Sequence, residues 1–366
     1  MVICRIHRIH LHLMMNKSPF KNRDICCISD IHIGVHQNSA QWHDIVIEWA
    51  KWLHDELINK GIEDIIIGGD LFHYRDEIAV NTIQVATEVL NIWKPFNIGI
   101  LIGNHDSYYK DKVDVHSLSI LSGWNNITIY DKVTTIEHKG QKLTFCPWGT
   151  EIYEIPSDSD IIFGHFEIET FKLNEFKTCI GGIKSKDLLE KCDLIITGHF
   201  HLKEERKYKN GTILYLGNPF QMDFGDVNDT KGYYILNTNN KTYEFTANDI
   251  SPEHIKLKLS ELAKAGKLTQ ATKNKIQNNI LRFIIDKNIS SDEVDIILKK
   301  FSSLKPLAMN VDYAINFDRF GLSNEMEYDL SGVDIPTAID EFISILEIQD
   351  KKTIADYTLD LYRRNK

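Results

Sequence analysis

The sequence predicts an α/β fold: a β-sandwich flanked by helices, with a small α+β capping domain and a C-terminal helix pair after it. Three observations predict it. Short apolar runs end abruptly in Gly or Ser followed by a polar residue, which is typical of buried strands. Amphipathic stretches of helical period separate the first three runs, and later stretches contain strand patterns alone. Alternation of strand and helix followed by strands favours sheets covered by helices.

The first half of the chain carries the clearest elements. Helical stretches at residues 41–60 and 78–93 have apolar residues three and four positions apart. The strand-like runs are ICCIS before Asp30, DIIIGG before Asp70, IGILIG before Asn104, IIFG before His165 and LIITG before His199. Residues 132–138 and 141–147 flank Lys139-Gly140 and predict a hairpin, and strands are expected at 213–216, 232–237 and 242–246.

These patterns predict five regions. We expect an N-terminal extension at residues 1–23, a catalytic domain at 24–250 and a capping domain at 251–318. The capping domain should contain a polar helix, a strand at 281–286, a helix from Ser291 capped by Ser290 or Ser291, and a strand at 310–315. An acidic, aperiodic linker should occupy 319–334 and a helix pair 335–366.

Composition limits the class of protein. With 366 residues the chain is long enough for two or three domains, and 43% hydrophobic residues suffice for a substantial core. No apolar run reaches the ~18 to 20 residues that a membrane span needs. The six cysteines contain no C-x-x-C pair, which favours free thiols and a cytoplasmic protein. A net charge of −10 argues only against broad, nonspecific coating of DNA.

Five predicted strand ends carry residues that bind metals. They are Asp30 and His32 in SDIHIG, Asp70 in GGDLFH, Asn104 and His105 in GNHD, His165 in FGHFE, and His199 and His201 in TGHFH. In open α/β sheets, side chains just beyond the carboxyl ends of strands converge on one crevice. A mixture of carboxylate, imidazole and amide oxygen suits Mn²⁺, Fe²⁺ or Zn²⁺. A shared carboxylate would hold two ions roughly 3.5 to 4 Å apart.

The order of these motifs resembles that of the calcineurin-like metallophosphoesterases, D-x-H, G-D, G-N-H-D, G-H and G-H-x-H, over residues 24 to 250. Two segments resemble the SbcD branch, the bacterial counterparts of the meiotic-recombination nucleases: GDLFH (69–73) and YLGNPFQMDFGDVNDTKGYYIL (215–236). The short length resembles that of the recombination endonuclease subunits of tailed phages, and a phage-encoded chain would be expected in the host cytoplasm. One departure concerns the residues after His73, where Arg75, Asp76 and Glu77 stand in place of the branch's frequent proline.

The resemblance implies roles for particular residues. Asp30, His32, Asp70 and His201 would bind one divalent ion, and Asp70, Asn104, His165 and His199 a second, with Mn²⁺ as the expected metal. His105 would lie beside the scissile phosphate, and His73 would orient the DNA backbone. Asp106 is expected to hold a neighbouring loop or imidazole rather than a metal.

The resemblance also implies a biological role. The chain would be a DNA nuclease of double-strand-break repair and recombination, a 3′–5′ exonuclease on duplexes and an endonuclease on single strands. Its partner would be an SbcC-type ABC ATPase with a coiled coil, bound to a nuclease homodimer in a heterotetramer. Ile335, Ile339, Phe342 and Leu346 share one predicted helix face, and Ile354, Tyr357 and Leu361 share the next. These faces would bind the ATPase by helix-in-groove recognition or pack on the chain's own capping domain.

Two other functions remain open at this point. A small-molecule or cyclic-nucleotide phosphodiesterase would share the metal ligands but would usually lack a capping domain and terminal helices. A noncatalytic scaffold of the same fold would have lost ligands, whereas all seven are present here.

Overall fold

The computed structural model describes residues 16–110, 112–173, 177–265, 268–286 and 290–313, together with 336, 343 and 350–364. The chain divides into two compact units. The first contains the residues up to 255 together with 275–280 and 306–308. The second contains 256–274, 281–305 and the residues from 309 onward.

The first unit contains two β-sheets. Its strands are β1 (Asn16–Lys17), β2 (Asp24–Ile28), β3 (Asp64–Ile67), β4 (Asn97–Leu101), β5 (Ile127–Tyr130), β6 (Thr134–His138), β7 (Gln141–Cys146), β8 (Ile161–His165), β9 (Leu194–Gly198), β10 (Glu204–Tyr208), β11 (Gly211–Tyr215), β12 (Gly232–Asn237) and β13 (Thr242–Ala247). The strand orders are β1-β6-β7-β8-β9-β11-β10 and β13-β12-β2-β3-β4-β5. Strands β2 to β5 are parallel, as are β7, β8, β9 and β11. Parallel pairing brings the carboxyl ends of neighbouring strands to the same sheet edge.

Alternate residues of the buried strands contribute to two different cores. In β2, Ile25 and Cys27 belong to a core that also contains Phe145 and Phe163 of the seven-stranded sheet. Cys26 and Ile28 belong instead to the core beneath the helices. Since successive side chains of a strand point to opposite faces, runs that are apolar throughout predict burial on both faces. The six-stranded sheet therefore lies between the other sheet and a helical layer.

Two long helices form that layer, α1 (Ala40–Lys60) and α2 (Val80–Ile92). Both match the predicted stretches to within two residues at each end. The buried face of α1 includes Trp49, Leu53 and Leu57, and the Trp49 ring meets the Trp93 ring edge to face with centroids 5.4 Å apart. The first unit also contains a short helix, α3 (Ser185–Leu189), and two 3₁₀ turns, Ser117–Leu121 and Ile152–Glu154. A further short helical segment, Val35–Asn38, contains residues with positive φ.

The predicted hairpin is confirmed. Strands β6 and β7 pair in antiparallel fashion from Thr134↔Phe145 to His138↔Gln141. Lys139 and Gly140 both have positive φ, 49° and 87°. This conformation is that of a type I′ turn, whose twist matches the strands on either side.

Part of the predicted extension packs as an integral part of the first unit. Strand β1 pairs in parallel with β6, and Phe20 is buried between the sheets. The backbone N–H groups of Lys21 and Asn22 donate to the buried Asp64 carboxylate. Residues 16–22 therefore lie within the fold, although sequence patterning placed the start of the domain at residue 24. Residues 1–15 lie outside the described ranges.

The second unit has α+β secondary structure. A three-stranded sheet has the order β14-β15-β16, with β14 (His254–Lys258), β15 (Ile280–Ile285) and β16 (Ala308–Tyr313). Its helices are α4 (Leu259–Ala265), α5 (Gln270–Ile276) and α6 (Ser291–Ser302). Ser290 caps α6, and the side chains of Ser290 and Glu293 bond reciprocally to each other's backbone N–H. Both predicted strands and the predicted helix are present.

Several expectations lie partly outside the described residues. The linker at 319–334 and the first terminal helix face, including Ile335, Ile339, Phe342 and Leu346, fall among undescribed positions. The second terminal helix is present as Lys351–Arg364. Strands β1, β5, β10 and β14 were not predicted. The sequences of β10 and β14 are largely polar and charged, and β1 and β5 are short, with two and four residues.

Two predictions from composition can be compared with the described ranges. The five cysteines there are buried and free of disulfides. Within the same ranges, no helix is long and apolar enough to cross a membrane.

Candidate active site

The predicted metal-binding residues meet at one edge of the two sheets. Asp30 and His32 follow β2, Asp70 follows β3 and Asn104 follows β4 in the six-stranded sheet. His165 ends β8 and His199 follows β9 in the seven-stranded sheet, with His201 two residues farther on. All seven side chains therefore come from carboxyl ends of parallel strands, as the motif positions predicted.

Four of these residues adopt left-handed backbone conformations. The φ angles of Asp30, His32, Asp70 and His199 are 56°, 51°, 53° and 94°. Such angles are uncommon for residues other than glycine and cost on the order of 1 to 3 kcal/mol each. Backbone hydrogen bonds hold two of them, because Asp30 N–H donates to Gly69 O and His32 N–H to Asp70 O, both at 3.0 Å. The remaining fold therefore imposes these conformations on the site.

Two glycines leave room for the functional side chains. A Cβ atom at Gly103 would lie 2.1 Å from Asp70 Oδ1, and one at Gly69 would lie 2.3 Å from His165 Nδ1. Gly69 also has a φ of 109°, which a side chain would strain. Glycine in GGD and GNHD is thus required by close approach to the neighbouring functional residue.

The first group of donor atoms belongs to Asp30, His32 and His201, and these atoms lie within 4.8 Å of one another. The two imidazole nitrogens, His32 Nε2 and His201 Nε2, are 3.1 Å apart. Asp30 and His32 are almost completely buried. The Asp30 carboxylate also accepts the backbone N–H of His199, at 3.1 and 3.2 Å to its two oxygens.

The second group belongs to Asp70, His165 and His199, again within 4.8 Å. Asn104 Oδ1 completes it, 3.0 Å from His165 Nε2 and 2.8 Å from His199 Nδ1. Asp70 Oδ2 lies 3.4 Å from His165 Nε2 and 3.6 Å from His32 Nε2. One carboxylate oxygen therefore faces both groups of donors.

This donor set fits divalent cations. His165 Nδ1–H donates to Gly68 O at 2.7 Å, so in the neutral ring the other nitrogen, Nε2, has its lone pair directed to Asp70 and Asn104. Buried imidazole nitrogens and carboxylate oxygens that face one another at 3 to 4 Å are the arrangement that a borderline metal ion stabilises. The residues present are therefore compatible with two such ions.

The charges of the second group are strongly coupled. Burial alone would raise the pKa of Asp70, but the neighbouring His165 and His32 hold it below its usual range. Burial alone would lower the pKa of His165, but the Asp70 carboxylate raises it to about 9. Burial keeps the pKa of His32 below its usual value. Without a cation, the site thus retains a proton on His165, which a metal ion would displace.

His105 and His73 lie beside the first group. The backbone N–H of His105 donates to Asp70 Oδ1 at 2.8 Å, and its Nδ1–H donates to His73 O at 2.6 Å. A substrate can therefore meet only Nε2 of His105. The His73 ring stacks on His105 at 5.3 Å, and its Nδ1 is 3.3 Å from His32 Nδ1. Burial, together with the nearby His105 and His201, lowers the pKa of His73 to about 4, so it is neutral near pH 7.

The histidines around His32 form a further cluster. The ligand atoms of His32, His73 and His105 also lie within 4.8 Å of one another. His32 therefore belongs both to this cluster and to the first group of donors. Its Nδ1 faces His73, and its Nε2 faces Asp70 and His201.

Asp106 supports the site from behind. Its carboxylate accepts the backbone N–H groups of Gly103, Leu71 and Phe72 at 3.0, 3.3 and 3.1 Å. Burial and the Asp70 carboxylate raise the pKa of Asp106 to about 7. Asp106 therefore ties the loop after β3 to the loop after β4, which confirms that its place is to hold a loop.

Sequence reasoning missed two supporting residues. Glu167 Oε1 lies 3.3 Å from His199 Nε2, and this hydrogen bond holds the pKa of Glu167 below its usual range. Lys231, in the closing segment, donates to His201 O at 2.8 Å and pairs with Asp226 and Asp229 at 2.8 and 2.7 Å. The motif FGHFE contains Glu167, but nothing in the linear sequence relates it to His199.

Comparison with known proteins agrees with this arrangement. Residues 24–203 match the calcineurin-like phosphoesterase family. The chain is 25% identical over 355 residues to Exonuclease subunit 1 of Enterobacteria phage T4, which covers 92% of this chain and 97% of that protein. It is 27% identical over 254 residues to the SbcD subunit of the SbcCD nuclease of Staphylococcus epidermidis, covering 58% of this chain and 65% of that protein.

The family match includes strands β2 to β9. It also includes all seven predicted metal-binding residues, from Asp30 to His201. The likeness to the phage exonuclease subunit extends over nearly the whole chain. Residues 24–203 therefore form a domain of the calcineurin-like phosphoesterase family.

Proposed function

We propose that this chain is a two-metal DNA nuclease of double-strand-break repair and recombination. It would act as a 3′–5′ exonuclease on duplex ends and as an endonuclease on single strands. The observation that carries the proposal is the convergence of seven donor side chains, with one Asp70 oxygen facing both groups. The names of the relatives, an exonuclease subunit and a nuclease subunit, support DNA as the substrate.

Within this proposal the two groups of side chains hold two divalent ions, with Mn²⁺ as the physiological metal. One ion would be held by Asp30, His32 and His201. The other would be held by Asn104, His165 and His199, and Asp70 would bind both ions. When bound, the ions would supply Lewis-acid activation of the phosphodiester and of the attacking water. The mixture of imidazole, carboxylate and amide donors supports a borderline ion such as Mn²⁺ over Ca²⁺.

His105 and His73 would contribute to the reaction without binding the ions. His105 Nε2 would face the scissile phosphate, to stabilise its charge or protonate the leaving oxygen. The hydrogen bond from Nδ1 to His73 O supports this role because it fixes the ring orientation. His73, stacked on the His105 ring, would orient the DNA backbone.

The remaining regions would serve binding. We propose that the α+β unit is a DNA-binding cap and that residues 335–366 bind an SbcC-type ATPase, with two nuclease chains in a heterotetramer. In the helix Lys351–Arg364, the side chains of Ile354 and Tyr357 are 40% and 64% exposed. An exposed apolar pair three residues apart on this helix supports a role in helix-in-groove recognition.

A substrate comparison tests the proposed function. The purified chain, freed of metal and supplied with Mn²⁺, should degrade 3′-end-labelled duplex DNA and cut circular single-stranded DNA. Chelated protein should do neither. Efficient hydrolysis of cyclic nucleotides with no cleavage of either DNA would contradict a nuclease and favour a small-molecule phosphodiesterase.

A further inference from the structure

The segment that follows His105 forms a braced loop at the surface. Its base is closed by a bridge between Ser107 and His116, and Tyr108 N–H donates to Val115 O at 2.9 Å. Ser117 N–H donates to the carbonyl of Asp106 at 2.8 Å. Residues 107–110 and 112–116 are therefore held at the edge of the active site by their own backbone.

Two tyrosines project from this loop. The side chains of Tyr108 and Tyr109 are 49% and 46% exposed. Their rings meet edge to face, with centroids 5.0 Å apart and planes at 90°. Adjacent aromatic rings that are half exposed on a fixed loop offer apolar surface to a ligand, whereas a single exposed tyrosine would need no explanation.

Two lysines continue the same surface. Lys110 and Lys112 are exposed, and neither forms an ion pair with a residue in the described ranges. Asp111 and Asp114 belong to the same segment, so its formal net charge is zero and the lysines act as individual donors to phosphate oxygens rather than as a basic patch. Exposed aromatic rings beside exposed lysines are typical of proteins that bind single-stranded nucleic acid.

The loop is connected to the metal-binding residues in two ways. Trp148 Nε1–H donates to Lys110 O at 2.9 Å, and the Trp148 ring lies 5.0 Å from the His199 ring. Tyr108 is only three residues from His105, so their Cα atoms are at most about 11 Å apart. A nucleotide strand whose phosphate met His105 would therefore pass within reach of the tyrosines.

We propose that Tyr108, Tyr109, Lys110 and Lys112 form a tyrosine platform that binds unpaired nucleotides next to the cleavage site. This inference rests on the proposed nuclease function and adds the class of strand that the site prefers. Every base has an aromatic face, so stacking on tyrosine tolerates any sequence. Bases within a duplex are already stacked on one another, so the platform favours single strands and frayed ends.

Two oligonucleotide substrates test the platform in the full chain supplied with Mn²⁺. One is a 12-nucleotide oligothymidylate, and the other has the same phosphates but tetrahydrofuran residues in place of the internal nucleosides. The wild-type KM should be at least about fivefold lower for the substrate with bases, the lower end of the effect of one base stack. The variant Y108A/Y109A should raise the KM for oligothymidylate by about fivefold or more and remove the difference between the two substrates.

Three controls separate stacking from other effects. The variant Y108F/Y109F keeps both rings and should behave as wild type. Tyr208→Ala removes a tyrosine that is 37% exposed and lies at the end of the seven-stranded sheet opposite the active site. Tyr208 pairs with Gly211 at the start of β11, and Thr212 pairs with Leu194 at the start of β9. This variant should leave the KM unchanged. Hydrolysis of methyl p-nitrophenyl phosphate, which has no nucleobase, should be the same in all variants.

Each possible result decides the matter. A KM for Y108A/Y109A within twofold of wild type, or an equal loss on both oligonucleotides, would overturn the platform while leaving the nuclease function standing. A parallel loss of methyl p-nitrophenyl phosphate hydrolysis would place the defect at the metal-binding residues and also overturn it. Wild-type protein that hydrolysed the small ester but neither oligonucleotide would overturn the nuclease function and the platform with it.

Discussion

Replacing Glu167 by Ala removes the carboxylate that faces the outer nitrogen of His199. Glu167 Oε1 is 3.3 Å from His199 Nε2, while His199 Nδ1 is 2.8 Å from Asn104 Oδ1. Glu167 therefore favours the tautomer with the proton on Nε2, which leaves the Nδ1 lone pair directed to the group that includes Asp70. Glu167→Ala should weaken metal binding at that group.

The size of the effect follows from the position of Glu167. Loss of a hydrogen-bond partner behind a metal-binding histidine typically lowers metal affinity by about 10- to 100-fold. The Glu167 side chain is 50% exposed, so water screens its charge and partly replaces it. We therefore expect the lower end of the range, a loss of about 10-fold.

Calorimetric titration of the chelated protein with Mn²⁺ measures this effect. Wild type should show two binding events, of which Glu167→Ala weakens one by about 10-fold and leaves the other unchanged. Glu167→Gln keeps a hydrogen-bond acceptor without the charge and should give a smaller loss. Glu169→Ala, two residues away, is the matched control and should bind as wild type does.

Two outcomes would refute this reasoning. If Glu167→Ala bound both equivalents of Mn²⁺ within twofold of wild type, the hydrogen bond would have no part in orienting His199. If both binding events weakened equally, the substitution would have disturbed the whole site rather than one imidazole.

Five other changes have predicted effects. Because one Asp70 oxygen faces both donor groups, Asp70→Asn should lower occupancy at both, and two metals per chain by elemental analysis would contradict the bridging assignment. His105→Asn should abolish phosphodiester cleavage while the metals remain bound. His73→Ser should reduce duplex exonuclease activity more than single-strand endonuclease activity. An equal loss of both activities would exclude an orienting role for His73. Lys231 is 5% exposed, so Lys231→Met leaves the buried Asp226 carboxylate without its cation, while Asp229 keeps Lys203. The free energy of unfolding in urea should fall by about 3 to 5 kcal/mol, and a change under 1 kcal/mol would contradict a structural ion pair. Deleting residues 335–366 should preserve metal binding and single-strand cleavage but abolish co-purification with the ATPase, and full affinity in the truncated chain would contradict the proposed clamp.

Much of the catalytic domain could be predicted from the sequence because its signals are local. Apolar runs such as that before Asp70 are buried on both faces, and the strand period places their ends at one sheet edge. The helix Ala40–Lys60 was predicted from its spacing of apolar residues, and the hairpin turn from Lys139-Gly140. The convergence of Asp30 and Asp70 follows from the parallel pairing of β2 and β3, so it too could be foreseen.

Other features were decided only by tertiary structure. The polar sequence of Glu204–Tyr208 carries no strand period, yet it forms a strand because the edge of the sheet supplies hydrogen-bond partners. Phe20 is buried because both sheets pack against it, although the sequence around it shows no strand or helix period. Pairing at a sheet edge and burial of a side chain depend on residues that are distant in sequence. Local sequence patterns therefore do not predict them.

The chemistry of the site divides in the same way. The types of the candidate metal-binding residues could be predicted because each lies at the carboxyl end of a strand or within a few residues after it. Three contacts could not be predicted from the sequence. One Asp70 oxygen faces both donor groups, Glu167 forms a hydrogen bond with His199, and Lys231 donates to the carbonyl of His201. Sequence therefore determined which side chains reach the edge of the sheets, and the packing of the two sheets determined how those side chains are paired, oriented and charged.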